Sequence, residues 1–254
     1  MAERPRADSA PPAAPEAGSS REYRGGELGL FARASNWKDY VARTCAPFLR
    51  GHVLEVGAGL GASTHRLVYG EHVRAWTALE PDPELFAVLE PAARELALRS
   101  GLPVHARRGV LADLPKDPCF DAILYLDVLE HIADDRGELA GAALRLAPGG
   151  HLVVLAPAHG ALFSAFDVQV GHHRRYDKRS LRALGPAGAT LVALRYLDSV
   201  GLLASLANRV LLRRALPTAR QIAVWDGLMI PASRVLDRVS FGVLGKSILA
   251  VWTR

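Results

Sequence analysis

Hydrophobic positions along this chain come in two rhythms. Short, nearly continuous apolar runs fall at 52–56, 75–79, 103–107, 120–125 and 150–156. Between them lie segments near 61–69, 83–99 and 136–146 whose apolar residues recur every three or four positions. The first pattern suits buried strands and the second suits helices packed on them, so the alternation predicts a parallel sheet with helices on both faces. A helical pattern from Glu27 to Phe48, with Leu30, Trp37, Tyr40 and Val41 on its apolar side, precedes the first strand. Pro83 suits the first turn of the second helix of the alternation. Gly149-Gly150 predicts a stop and turn after the helix ending near Leu146. After residue 156 the rhythm breaks. A polar, aromatic loop over 157–177 leads to a short helix, Lys178 to Leu184, and then to an apolar strand at 188–197. Residues 199–245 read as an apolar helical insert, and Ser247 to Trp252 as a final strand.

Residues 1–22, rich in Pro, Ala and Ser, predict a disordered tail ahead of one domain spanning 23–254. The tail lacks the apolar core of a signal peptide. The nearest approach to a membrane span, Val200 to Leu212, is interrupted by Asn208 and Arg209. Cys45 and Cys119 are too few for a disulfide framework or a cysteine-based zinc site, which points to a reducing, cytoplasmic setting. The net charge of +5 rests on arginine, because lysine occurs only at Lys38, Lys116, Lys178 and Lys246. An anionic partner is one reading of that balance, and genome composition is another.

Chemistry concentrates at the ends of the predicted strands. Val53 to Val56 runs into Gly57-Ala58-Gly59-Leu60-Gly61, a turn where a ligand approaches backbone with no Cβ in the way. The following helix would aim unpaired N–H groups at the same place. Gly57-x-Gly59-x-x-Ala62 also fits a dinucleotide fingerprint, so the turn alone does not choose a cofactor. Carboxylates in step with the strands do more: Glu55 beside the turn, Glu80 after the second strand, Asp113 after the third and Asp127 after the fourth. Glu80 is placed to accept the hydroxyl hydrogens of a ribose, and Asp113 to reach an adenine amino group. A pyrophosphate would meet Glu55 and Asp127 with no cation in the motif. A sulfonium and an amino group, as in S-adenosylmethionine, would be attracted by them. Each acid taken singly also suits a helix cap, Asp113 above all, but the ordered set of four is more specific than any one of them.

Residues 53–61, 79–82, 111–114, 120–132 and 146–156 resemble the ordered motifs of class I S-adenosylmethionine-dependent methyltransferases. The resemblance implies a Rossmann-like α/β fold: a seven-stranded, mostly parallel sheet with helices on both faces, plus the helical insert before the last strand. It further implies that Gly57, Ala58, Gly59 and Gly61 cradle the methionine part and that Glu80, with Pro81, holds the ribose. Asp113 would lie near the adenine, while Asp127, flanked by Leu126 and Val128, would line the pocket near the sulfonium. Asp127 stands where many relatives with a Glu-x-x-Glu-His run have glutamate. Asp127, Glu130, His131 and a later histidine also resemble the ligand set of some metal-using relatives, but the expectation here is no metal.

Gly171-His172-His173-Arg174-Arg175-Tyr176 resembles a Gly-His-x-Arg-Arg-Tyr segment of many bacterial methyltransferases. Following the fifth strand, it should fold over the methyl donor. Arg174 and Arg175 would then hold an anionic group of the substrate through their forked donors. The plainer alternative is a solvated basic turn with Tyr176 packed underneath. His131, His172 and Tyr176 are the candidates for catalysis, the histidines as bases for an acceptor proton.

The sequence therefore reads as a methyltransferase acting on a small or amphipathic, anionic small-molecule acceptor, using S-adenosylmethionine. A nicotinamide-dependent oxidoreductase is the first alternative, although no tyrosine is followed four residues later by lysine. A nucleic-acid methyltransferase is not expected, because Tyr125-Leu126-Asp127-Val128 lacks the Asn/Asp-Pro-Pro-aromatic turn. A non-catalytic S-adenosylmethionine-binding protein is the third alternative. The 199–245 insert would pack on the core and shape the acceptor pocket, with peripheral membrane contact as a lesser reading.

Overall fold

The computed structural model describes Gly29 and residues 33–117, 119–211 and 218–254. The predicted tail, residues 1–22, and most of the first turns of the predicted 27–48 helix lie outside the described residues. The strands are β1 (Gly51–Val56), β2 (Val73–Glu80), β3 (Val104–Arg108), β4 (Phe120–Leu126), β5 (Leu146–Pro157), β6 (Thr190–Leu197) and β7 (Ser247–Thr253). They form one seven-stranded sheet in the order β3-β2-β1-β4-β5-β7-β6. Strands β1 to β5 pair in parallel, and β7 runs antiparallel to both β5 and β6. The chain's winding reverses between β1 and β4, and such a switch point opens a crevice at the carboxyl ends of the strands.

Both faces of the sheet are covered, which is why the strands read as continuous apolar runs. Leu54, Ile123, Leu152 and Trp252 enter one core, while Val53, Trp76, Leu124, Val153 and Leu249 enter the other; all are buried. The helices are α1 (Ser35–Cys45), α2 (Thr64–Leu67), α3 (Pro83–Ser100), α4 (Asp135–Arg145), α5 (Ala165–Val170) and α6 (Lys178–Ala183). The insert holds α7 (Ser199–Leu211), α8 (Ala219–Val224), a π-turn (Trp225–Met229) and α9 (Ile230–Val239). Helix α3 starts where its sequence dictates: Asp82 accepts from the N–H groups of Glu84 and Leu85, with Pro83 in the first turn.

Two boundaries differ from expectation. The 61–69 helix shrinks to α2, because the glycine turn uses the residues up to Ser63. Gly149-Gly150 does not end the helix before a strand; it lies inside β5. There Gly149 takes φ 75°, its N–H donates to the Arg254 carbonyl at 2.8 Å, and the register against β4 slips. The pair makes a bulge, which glycine tolerates at little cost.

The insert is tied to α1 and to the sheet by buried carboxylates. Asp226 accepts from the backbone N–H groups of Asn36 (3.1 Å) and Trp37 (2.8 Å). Asp237 accepts from the Tyr40 hydroxyl (2.8 Å) and from the N–H groups of Asp198 (2.7 Å) and Ser199 (3.1 Å). Asp198 accepts from Trp225 Nε1 and Ser233 Oγ, each at 2.8 Å. Trp37 and Trp225 then meet with ring centroids 5.8 Å apart. These bonds hold α1 and the π-turn together beside the crevice.

Candidate active site

The glycine turn leaves β1 with Gly57, Gly59 and Gly61 at φ 68°, 57° and 74°. At Gly57 the absence of a side chain is obligatory twice over: a Cβ would lie 2.7 Å from Val128 Cγ2 in a backbone conformation that disfavours one. The turn is stitched to β2. Ala58 N–H donates to the Leu79 carbonyl (2.9 Å) and Gly59 N–H to Glu80 Oε2 (2.8 Å). The other Glu80 oxygen accepts from Asp82 N–H at 3.0 Å, so one carboxylate fixes two adjacent loops. Burial raises the Glu80 carboxyl, against the pull of these two hydrogen bonds. Each oxygen retains a lone pair for a further donor. Pro81 beside it is exposed.

Glu55 does not line the mouth of the crevice as expected. It is buried, and its Oε2 accepts from the Thr64 hydroxyl (2.5 Å) and Trp76 Nε1 (3.1 Å), bracing α2 from below. Burial pushes its carboxyl up to about 7 despite those bonds. Asp113 is exposed on a short turn after β3, where Oδ2 accepts from Val110 N–H at 2.9 Å. That is the capping role weighed in the sequence, and its other oxygen is bound by no group within that turn.

At the end of β4, Leu126 and Val128 are half-buried and Asp127 is exposed, in the left-handed region at φ 55°. Its N–H donates to the Leu155 carbonyl at 2.8 Å, which ties the turn to β5. Asp127 is surrounded by protein yet reached by solvent, as the floor of a cleft would be. The crowding raises its carboxyl to about 6, while His172, Lys246 and Lys38 pull it down. Burial lowers both lysines in turn, Lys38 to about 8, and Asp127 acts against that shift in each. The crevice is therefore not purely acidic. Lys246 also lies with Nζ 5.3 Å from the Trp225 ring centroid, a cation–π contact.

The next residues supply a carboxylate and two imidazoles. Glu130 is 1% exposed, and neither of its side-chain oxygens has a hydrogen-bond partner. Burial and the nearby Asp127 charge raise its carboxyl well above the usual range. His172 Nε2 lies 3.8 Å from Glu130 Oε1, and His172 Nδ1 meets Asp167 Oδ1 at 2.8 Å. His131 stands edge-on to His172 with ring centroids 4.6 Å apart, and burial with the two neighbouring histidines lowers it to about 4. His131 and His172 are brought together as a pair.

The rest of the Gly-His-x-Arg-Arg-Tyr loop corrects the sequence reading. Arg175 is spent on Asp167, with Nε to Oδ1 at 2.7 Å and Nη2 to Oδ2 at 3.0 Å. Burial opposes the Asp167 charge, but hydrogen bonds from His172 and Arg175 hold its carboxyl well below the usual range. Arg174 turns toward α4, pairing with Asp135 at 2.8 Å and donating to the Ala133 carbonyl at 2.7 Å. Both guanidiniums are engaged by carboxylates of the protein. Tyr176 is buried, its hydroxyl donating to Asp135 at 2.9 Å, which matches the plainer alternative of a tyrosine packed underneath. Burial and that bond raise its phenol. Sequence reasoning missed Asp167, Lys38 and Lys246. The one signal for the lysines is their rarity in an arginine-rich chain.

Residues 54–152 match the family model described as a methyltransferase domain. The match covers the glycine turn, the Glu80 bridge and the β4 turn. Over these residues the chain is similar to a methyltransferase domain. S-adenosylmethionine is the cofactor of that family. The ubiquinone biosynthesis O-methyltransferase of Xylella fastidiosa (strain 9a5c) is 34% identical over 156 residues, 53% of this chain and 60% of that protein. The demethylmenaquinone methyltransferase of Tropheryma whipplei (strain Twist) is 29% identical over 136 residues, 53% of this chain and 54% of that protein. The chain thus spans a little over half the length of these relatives. Among solved structures, a geranyl diphosphate methyltransferase in complex with SAM aligns with TM-score 0.62 at 15% identity, covering 93% of each chain. The [4+2]-cyclase SpnF aligns with TM-score 0.59 at 18% identity, covering 91% of this chain and 94% of that one. Likeness at this level shows the methyltransferase fold and not the reaction.

Proposed function

We propose that this protein transfers a methyl group from S-adenosylmethionine to a small amphipathic acceptor carrying an anionic group. The observation that carries the reading is the pairing of a Cβ-free turn with a carboxylate that bridges it to the next strand. Gly57, Gly59 and Gly61 leave backbone open to the amino-acid part, and the remaining lone pairs of Glu80 suit a ribose. When bound, the cofactor supplies an electrophilic methyl group on a sulfonium.

The residues at the β4 end then serve the acceptor. Asp127 puts negative potential near the sulfonium, and the His131–His172 pair faces the acceptor's proton. Transfer of this kind is an in-line displacement, so positioning supplies much of the rate. With Arg174 and Arg175 engaged elsewhere, Lys246 beside Asp127 is the cation we assign to an anionic acceptor. The named relatives are a ubiquinone biosynthesis O-methyltransferase and a demethylmenaquinone methyltransferase, which suits an amphipathic acceptor beside the apolar insert. No described helix is long and apolar enough to cross a membrane. We place the reaction in the cytoplasm, with no nucleic-acid partner.

A panel of phenols and carboxylic acids incubated with methyl-labelled S-adenosylmethionine tests the reading. Label is expected on anionic acceptors, and Lys246→Met should raise their KM at least tenfold while leaving S-adenosylhomocysteine affinity within twofold. Equal KM for anionic and neutral acceptors in the wild type would contradict the lysine assignment.

A further inference from the structure

The insert has an inner and an outer side, and both carry apolar residues. On the inner side Ile222, Asp226, Ile230, Ser233 and Asp237 are buried, with Asp226 and Asp237 bonded to α1. On the outer side Leu228, Val235 and Val239 follow at intervals of seven and four residues, which sets them in one stripe along the helical run that ends in α9. The turn after α9 extends the stripe with Phe241, Val243 and Leu244. These six side chains are between 53% and 87% exposed. Single exposed apolar residues are ordinary, whereas a run of neighbours marks an interaction surface.

The turn that bears Phe241 is tied down by its backbone. Ser240 N–H donates to the Leu236 carbonyl (2.8 Å), Gly242 N–H to the Asp237 carbonyl (3.0 Å) and Tyr196 N–H to the Gly242 carbonyl (2.9 Å). A Cβ on Gly242 would lie 2.7 Å from Arg195 Cβ, so the backbone here is pressed against β6 while the side chains on either side of it turn outward. Phe241 takes φ 53°, a left-handed conformation that a bulky residue adopts only at a cost. Backbone strain thus supports an aromatic ring held in water, which core packing does not explain.

Charge selects the partner. The carboxylates of residues 218–245 are Asp226 and Asp237 alone, and both are buried. Arg220 and Arg238 are exposed on the same run, and Arg234 is half-buried. Across the turn, Lys178 donates to the Gly242 carbonyl (3.3 Å) and brings α6 alongside, with Arg179 and Arg182 exposed on it. An apolar stripe with cations around it and its acids turned inward matches an anionic lipid surface: the apolar side chains enter the acyl boundary and the cations meet headgroup phosphates. A second copy of the chain fits worse, because a two-fold contact sets like patch on like patch and would place arginine against arginine. We propose that the face from Leu228 to Leu244 docks on membranes that contain anionic phospholipids. Packing of the insert, expected first from the sequence, accounts for its inner side only. The insert would lie on the bilayer, since no described helix is long and apolar enough to cross one. Docking of this kind goes beyond methyl transfer and does not rest on it.

Co-sedimentation of the full chain with vesicles tests the surface, using phosphatidylcholine alone and an equal mixture of phosphatidylcholine and phosphatidylglycerol. Binding to the mixed vesicles is expected to be roughly tenfold or more above that to phosphatidylcholine, and to weaken as salt rises. Phe241→Asn should cut binding to the mixed vesicles about tenfold. The same variant should melt no lower than wild type, since asparagine suits left-handed backbone and the ring it replaces has no core to leave. Arg238→Gln should cut binding to the mixed vesicles about fivefold. No binding to either vesicle, equal binding to both, or wild-type binding in Phe241→Asn would overturn the lipid surface. A melting temperature well below wild type in Phe241→Asn would make the ring a packing residue and overturn it too. A dimer that Phe241→Asn splits, seen by sedimentation velocity in a chain that binds no vesicle, would give the face to a second copy instead.

Discussion

Glu55 is a charge the fold holds against its preference. Its carboxyl titrates near 7 instead of 4.5 because burial penalises the ionised form more than Thr64 and Trp76 favour it. The folded state therefore binds this proton more tightly than the unfolded chain does. Its contribution to stability is unfavourable above pH 7 and is relieved as pH falls toward 4.5. The full swing is about 3 kcal/mol. Glu55→Gln should flatten that dependence, so the variant's melting temperature relative to wild type is expected to be higher at pH 8 than at pH 5. Parallel melting curves at the two pH values would refute the assignment. At Gly57 the expectation is simpler. Gly57→Ala sets a Cβ 2.7 Å from Val128 in left-handed backbone, and S-adenosylhomocysteine affinity should fall at least tenfold. Side-chain roles in the loop after β5 were harder to read. Arg174, Arg175 and Tyr176 were candidates for function, yet each meets an acid, Asp135 or Asp167, to which the sequence assigned no role.

Between elements, the strongest couplings are carboxylates that satisfy backbone N–H groups across long sequence separations. Asp237 is the clearest, joining α1, β6's exit and α9 through Tyr40, Asp198 and Ser199. Asp237→Ala would strand two buried donors, at a cost of about 2–4 kcal/mol. Tyr40→Phe removes one bond and leaves Asp237 two donors, so about 1 kcal/mol is expected. Urea unfolding should show that order, and equal losses in the two variants would contradict it. Element identity was legible because strand runs and helical periodicity are local properties of the chain. Glycine-bearing boundaries were less so: Gly149 reads as a helix stop, and only its bond to the Arg254 carbonyl makes it a bulge. The docking of α1 on the insert left no pattern in sequence, since its donors include backbone N–H groups and its acceptors are ordinary acids.

At the scale of the whole molecule, the sheet order brings the ends of β1, β2 and β4 to one crevice, and α1 with the insert closes its side. The glycine turn, Glu80 and Asp127 were legible from their place after successive strands. The cations of the crevice were not, because Lys38 and Lys246 come from opposite ends of the chain and meet Asp127 only in the folded state. The central claim is that this crevice takes an adenosine-linked sulfonium cofactor. Calorimetric titration with S-adenosylhomocysteine tests it most directly, with NAD as the comparison. The account predicts one equivalent bound at micromolar concentration or tighter, no heat from NAD, and loss of the signal in Gly57→Ala. Heat from NAD with none from S-adenosylhomocysteine would contradict it.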